Sequence, residues 1–588
     1  MPFYVQRVLT LAGLLFALSA VHCQAVDLPP REPHPPTLQG WTEQDRQQWY
    51  HTSAGTQLIP YDWFVAFDDE PLKNSFVRTG VLADPDHPDK LPVGLAKTEG
   101  SNIPVPQVGL TCAFCHTAQF TYQGNQIRIE GGPSLQNNSR FVHTLLENLG
   151  DLLSPDKKTR PEGLNEWQPS DRFKAFATRV LQRQGQAVTP GNLKTLAGHV
   201  GALTQGLLSR AGQDASPALW GPGRFDALGR GGNLVFGRLH PDNLRPANAA
   251  VSIPPLWGVW EYDWVQWGGS IQHPLARNIA QVIGVNANIF TSPVPPFGPF
   301  VDPADPFRSS VDIPKLKTLE NLARRLHPPR WPQAFPAINR ELAERGKDLY
   351  HGNQGLPNLC AHCHVADPLP NPHPNGPSLH VTMIPQQEIG TDSLYLENFS
   401  QRTVDRDALG LDRISASQAS EWLTTEIMKR AGASDDPEYR LLTNRWRDES
   451  QYIARPHLAV WATAPFLHNG SVANLYELLS PAKERHTCFY LSPNMEFDPQ
   501  KVGFVIAECG GSPTFRDPLG GFEFKTQLLG NGNQGHEFSG NCGTAEKNAG
   551  ILGCELSHAD RLALIEYLKT CDLDRFVLRD APVCRDLE

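Results

Sequence analysis

Methionine is almost missing from this chain, with four in 588 residues, at positions 1, 383, 428 and 495. Any site that needs a thioether therefore has only Met383, Met428 and Met495 to draw on. Positive charge is also short: 52 Lys and Arg stand against 62 Asp and Glu, a net charge of −10 with no basic cluster. That balance argues against a nucleic-acid partner, since phosphate backbones are held by a concentrated basic face. No apolar run reaches the length of a membrane span. The longest near the start, residues 8–18, follows Arg7 and precedes small residues, with cleavage points after Ala20 or Ala25. It reads as a secretory signal peptide over 1–25. A Gly-rich phosphate loop, a Ser-His-Asp order and a zinc-hydrolase pattern are all missing. Strand signals are few, residues 126–129 being one, so the expected fold class is mainly α.

Cysteine is present in an informative pattern. Of eleven, Cys23 falls in the leader. Four form Cys112-Ala113-Phe114-Cys115-His116 and Cys360-Ala361-His362-Cys363-His364. Each is a C-x-x-C-H, the pattern of c-type haem attachment. The thiols add to the haem vinyl groups and the following His becomes an axial iron ligand. A redox or zinc Cys pair needs no His at that position. Two covalently bound c-type haems are therefore expected, with His116 and His364 on the irons. Cys488, Cys509, Cys542, Cys554, Cys571 and Cys584 remain, and an even number in an oxidising compartment predicts three disulfides of open pairing. Attachment of c-type haem and disulfides both fit a periplasmic or secreted protein.

The spacing of apolar residues predicts helices near Thr42 (with Thr as N-cap) and over 171–182, 190–210, 316–326, 337–350, 415–430 and 557–570. The Pro-rich stretch 292–307 divides the chain, giving an N-terminal haem domain over 26–310 and a C-terminal one over 311–588 stapled by disulfides at its end. A cytochrome-sized unit needs only about 100 residues, so the first half carries a large insertion. The second axial ligand of each iron decides function, because a saturated iron passes electrons and an open one binds small oxidants. For the second haem the candidates are His536, His468 and Met383; Met428 sits in a helical pattern. For the first, His143 and His51 are candidates and an open position is the preferred reading. Trp257, Trp260, Trp264 and Trp267 could relay electrons or line a cleft. Trp264, Trp267 and His143 are the catalytic candidates. Arg224 and Arg230 could pair with haem propionates.

The segment Val460-Trp461-Ala462-Thr463-Ala464-Pro465-Phe466-Leu467-His468-Asn469-Gly470-Ser471-Val472 resembles the T-A-P-Y/F-x-H-D/N-G stretch of the bacterial di-haem cytochrome c peroxidase and MauG superfamily. Residues 223–233 (Gly223-Arg224-Phe225-Asp226 onward), 256–267 and Gly535-His536-Glu537-Phe538 resemble its large-chain branch, which includes RoxA-type rubber oxygenases. The resemblance implies two cytochrome c-like haem domains with long loops and an enlarged N-terminal half. It implies a C-terminal haem that relays electrons and an N-terminal haem that meets the oxidant. Where peroxidases of the superfamily carry a Met, this chain has His536, which favours a bis-His second haem. Calcium is a candidate third cofactor with no ligand set legible here. The expected function is a haem oxidoreductase using oxygen or hydrogen peroxide, with a redox protein as donor or a polyisoprenoid as substrate. The alternative is a non-catalytic di-haem electron carrier.

Overall fold

Thr42 opens the first helix, Glu43–His51, with a capping box: its hydroxyl accepts from the Asp45 N–H while the Asp45 carboxylate takes the Thr42 N–H. In this computed structural model the described residues are 39–67, 76, 78–100, 103–154, 169–213, 220–289, 307–353, 360–373, 376–510, 521–540 and 550–571. The leader over 1–25, most of the Pro-rich stretch 292–307, Cys542 and Cys584 lie outside them. The other expected helices form as Asp171–Arg183, Pro190–Gln213, Ile313–Arg324, Arg340–His351, Ala416–Arg430 and His558–Leu568. Ser170, Ser415 and Ser557 cap three of them through their hydroxyls.

The mainly α expectation is corrected. Helix accounts for 39% and strand for 19% of residues, and the strands form eight small sheets of two or three strands among the described residues. Most strands are too short for alternation to be legible. Ile103–Leu110 is the instructive case, because Pro104 and Pro106 argue against a central strand. It nonetheless pairs with Leu95–Gly100 at Ile103 and again from Gln107 to Leu110, and with Ile59–Pro60 only at Gln107 and Val108. Both prolines thus fall where a neighbour lies on one side, beside an irregularity in the ladder.

That strand delivers the first C-x-x-C-H. Thr111 caps the helical turn Cys112–Cys115, and Gly94 packs against it so closely that a Cβ there would lie 2.3 Å from the Phe114 backbone. A hairpin follows, Thr117–Tyr122 with Asn125–Glu130, turned by Gln123 and Gly124, both at positive φ. The second motif follows helix Arg340–His351, which crosses His558–Leu568 at Gly346; a Cβ on Gly346 would meet the Ala563 carbonyl at 2.0 Å. Only glycine permits that crossing.

Three main apolar clusters hold these parts. One joins Phe67, Phe141, Phe173 and Phe176 between the 138–213 helices and the first sheet. A second gathers Trp49, Ile279, Leu316, Val381 and Ile427. The third places Phe120 of the hairpin against Phe335 and Phe497. In its centre Trp461 is fully buried, edge-on to Phe120, Trp331, Phe335 and Phe497. Trp461→Ala is expected to cost about 3–5 kcal/mol, as for other large aromatic truncations. Guanidinium unfolding of the loaded protein checks this, and a loss under about 1 kcal/mol would mean the cluster is not tightly packed.

In the C-terminal region Cys488 and Cys509 form a disulfide, and Cys554 and Cys571 are also disulfide-bonded. No helix among the described residues is long and apolar enough to cross a membrane.

Candidate haem sites

Burial governs the chemistry of both motifs. It pushes the Cys112 thiol up to about 11 and Cys115 and Cys360 up to about 12, the neighbouring thiol adding to the last two. Thiols used as redox pairs are tuned the other way. None of the four motif cysteines is in a disulfide. The histidines are held neutral, the form that ligates a metal. Burial takes His116 down to about 4 against the pull of the Pro254 carbonyl, and lowers His364 as well.

His364 faces a cavity of about 240 Å³ whose wall is mainly apolar and includes Cys360, Cys363, Trp257, Trp267, Phe466 and Phe538. Close-packed interiors leave few voids larger than a water molecule, so the space suits a large apolar occupant. The His364 Nδ1–H donates to the Arg455 carbonyl at 2.7 Å, which leaves Nε2 to ligate. That is the usual second-sphere arrangement of a metal-bound imidazole.

Three more imidazoles border this cavity, and they differ in orientation. His536 lies with its ring centre 6.2 Å from that of His364, planes at 63°. Imidazoles on opposite faces of one metal, each at about 2 Å, have ring centres roughly 6 Å apart. Its Nδ1 is buried without a partner, and burial lowers it to about 3, with His364 and Arg485 adding to the effect. His457 stacks on His364 at 3.9 Å and takes a hydrogen bond with the Tyr350 hydroxyl, so it lies beside the ligand rather than opposite it. His468 also borders the cavity, but its Nε2 is engaged by the Tyr452 hydroxyl at 3.0 Å. Met383 is in strand Leu379–Pro385 with its thioether against Gly269, away from this space.

One buried side chain makes several of the bonds that hold the His536 loop. Arg485 is 3% exposed and donates five hydrogen bonds to carbonyls. Nη1 reaches Asn533 and Gly535, Nη2 reaches Leu478 and His536, and Nε reaches Glu477. His536 itself has φ of 48°, a left-handed conformation that such anchoring sustains. Next to Arg485, His486 pairs with Glu477 and Glu508, which raise its pKa above the ordinary 6.5. A raised folded pKa gives stability that is full below pH 6.5 and is lost as pH rises through the folded value. The stability gap between wild type and His486→Gln should therefore shrink with rising pH in thermal melts; a gap that grows refutes the pairing.

His116 faces a smaller space of about 60 Å³. Cys112, Trp49, Trp260, Gln266, Arg277 and Glu320 are among its walls, and among the described residues no second His and no Met lines it. The indole N–H of Trp49 is buried without a partner, and the Pro254 carbonyl lies beside the His116 imidazole. His51 is tied to Asp84 and the Leu95 carbonyl. His143 lies on the solvent side of helix Asn138–Leu153, half-exposed and paired with Glu147.

Trp257 and Trp267 border the larger cavity, Trp260 the smaller, and Trp264 neither; it lies under the Arg447 guanidinium at 3.7 Å. Arg224 is buried on the Trp220 and Ala250 carbonyls and Asn531, and Arg230 lies by the Trp220 ring. Neither borders these two cavities; Arg277 and Arg455 do. Sequence reasoning passed over Arg277, Arg455, His457 and Arg485. A pairing of Arg455-Pro456-His457 just ahead of the 460–472 segment was the one available signal. The donor sets fit haem at both motifs: thiols at attachment spacing, a neutral imidazole with a carbonyl beside it, and adjoining space. No cluster of three or more His, Cys, Asp or Glu among the described residues is arranged to hold a metal ion by itself, which gives calcium no assigned place.

Residues 451–490, which contain Arg455, His457, His468 and Arg485, match the family described as RoxA-like, cytochrome c-like. The chain is 32% identical over 626 aligned positions to an uncharacterized protein, y4iJ, of Sinorhizobium fredii, covering 96% of this chain and 97% of that one. A second uncharacterized protein of the same organism, y4iM, is 28% identical over 45% of this chain and 52% of its own length. With a relative matched from end to end and a cytochrome match over the segment that builds the larger cavity, the chain belongs to the RoxA-like family of cytochrome c-like proteins.

Proposed function

We propose that this is an exported di-haem c-type cytochrome that acts as an oxidoreductase on oxygen or hydrogen peroxide at the His116 haem, with the haem between His364 and His536 as its electron relay. The observation that carries the reading is the inequality of the two sites. An imidazole stands opposite His364 at ligating separation, while no His or Met among the described residues joins His116 in its cavity. Bound haem supplies electron storage and, where the iron has a vacant position, a place for a small oxidant. The chain's own residues do the rest. Cys112, Cys115, Cys360 and Cys363 attach the haems, the Arg455 carbonyl orients His364, and Trp260 and Trp267 place one indole in the wall of each cavity. Two haem domains over 26–310 and 311–588 and a periplasmic or secreted site are part of the same reading, supported by the attachment chemistry and by the disulfides.

Optical spectra of the purified protein, oxidised and reduced, with and without carbon monoxide, test it. One of two haems should bind carbon monoxide. If both remain low-spin and neither binds it, the enzyme reading fails and the electron carrier stands. Turnover with hydrogen peroxide plus a reduced cytochrome, against oxygen plus polyisoprene, then separates peroxidase from rubber-oxygenase chemistry. The resemblance of residues 223–233 and 535–538 to the rubber-oxygenase branch favours the latter.

A further inference from the structure

Arg455 follows strand Gln451–Ala454 and, with Pro255, borders both cavities. Its backbone carbonyl accepts the His364 Nδ1–H. Its guanidinium lies in the dividing wall, 5.4 Å from the Trp267 ring centre. The side chain is poorly satisfied for such a place. One Nη reaches the Pro255 carbonyl at a long 3.5 Å, and Nε is buried with no partner. The ionisable groups acting on it are Tyr262, Arg277 and Tyr395, and none of these is a carboxylate. Two arginines elsewhere have more acceptors, three for Arg402 and five for Arg485, although the Nε of Arg402 is also without a partner. A guanidinium stays charged in a protein, and a buried charge without a counter-ion is strongly unfavourable.

We infer that Arg455 is an anion site between the two haems: its guanidinium holds a propionate carboxylate of the haem attached at Cys112 and Cys115, while its carbonyl orients His364 on the other haem. This rests on the di-haem reading above. Guanidinium and carboxylate match as a bidentate pair, which would supply the missing partners of Nε and Nη together. Arg455 is then a positioning residue that ties one haem's side chain to the other haem's ligand. A nearby positive charge favours the reduced state of an iron, so the guanidinium raises the potential of the His116 haem. The backbone contact to His364 survives replacement of the side chain.

The test uses the haem-loaded full chain, with haem counted per chain and both haems titrated spectroelectrochemically. The haems are told apart by their response to His536→Met. Arg455→Met should lower the potential of the His116 haem selectively, and Arg455→Lys, which keeps the charge, should restore most of the shift. Equal shifts at both haems, or none, with two haems per chain, overturn the inference alone. A wild-type chain with fewer than two haems overturns the di-haem reading itself. If Arg455→Met does not fold, Arg455→Lys decides: an ammonium cannot make the bidentate pair, so the propionate bending band in resonance Raman should shift for one haem. An unchanged band overturns the inference.

Discussion

Replacing His536 by Met is expected to raise the reduction potential of one haem and leave the other where it was. Axial ligand identity moves haem potentials over about 0.8 V, and a thioether opposite His raises them. The prediction depends on the 6.2 Å separation of the His364 and His536 ring centres. The competing ligands are occupied elsewhere, His468 by the Tyr452 hydroxyl and Met383 by its strand and Gly269. His468→Ala should therefore leave the axial spectrum unchanged. His536→Gly should open the second haem to carbon monoxide, and added imidazole should close it again. Glycine also suits the left-handed backbone at this position, so that variant separates loss of a ligand from loss of the loop. An unaltered potential and spectrum in His536→Met would remove His536 from the iron.

Arg485→Met should destabilise the protein on the order of 5 kcal/mol, among the larger single-residue effects. Each of its five bonds comes from a charged donor, and such bonds contribute about 1.5–3 kcal/mol apiece before non-additivity is allowed for. Methionine fills much of the volume but takes the side-chain donor from the Asn533, Gly535 and His536 carbonyls of the loop and from the Glu477 and Leu478 carbonyls of helix Leu475–Leu478. Since whole domains are stable by only about 5–15 kcal/mol, the loss should be plain in guanidinium unfolding of the loaded protein. A spectroscopic sign should accompany it, because three of the bonds fix Asn533, Gly535 and His536. The low-spin band of one haem should weaken at denaturant concentrations below the global transition. A loss under about 1 kcal/mol, or both haems loosening together with the global transition, would show that Arg485 does not hold this loop.

Much of the helical structure was legible because its signals are local. Thr42, Ser170, Ser415 and Ser557 announce their helices through hydroxyls that reach only three residues along the chain. The small sheets were not legible. Ile103–Leu110 contains two prolines and is a strand only because Leu95–Gly100 pairs with it. The propionate candidates show the same limit from the other side. Arg224 and Arg230 stood out by sitting in a distinctive motif, yet they close internal contacts. Arg455 had no motif of its own and stands at the boundary of both cavities.

By itself the sequence determined the two C-x-x-C-H patterns, two thiol pairs each followed by histidine, since spacing along five residues needs no tertiary context. It also offered His536, His468 and Met383 as the candidates to stand opposite His364. Which of these faces His364, which arginine borders both cavities, and that no second imidazole among the described residues lines the His116 cavity were decided only by the tertiary structure. The physical reason is distance along the chain. His364 and His536 belong to remote segments, and their 6.2 Å separation exists only once the Arg485 clamp, the Gly346 crossing and the strand before Arg455 have brought those segments together.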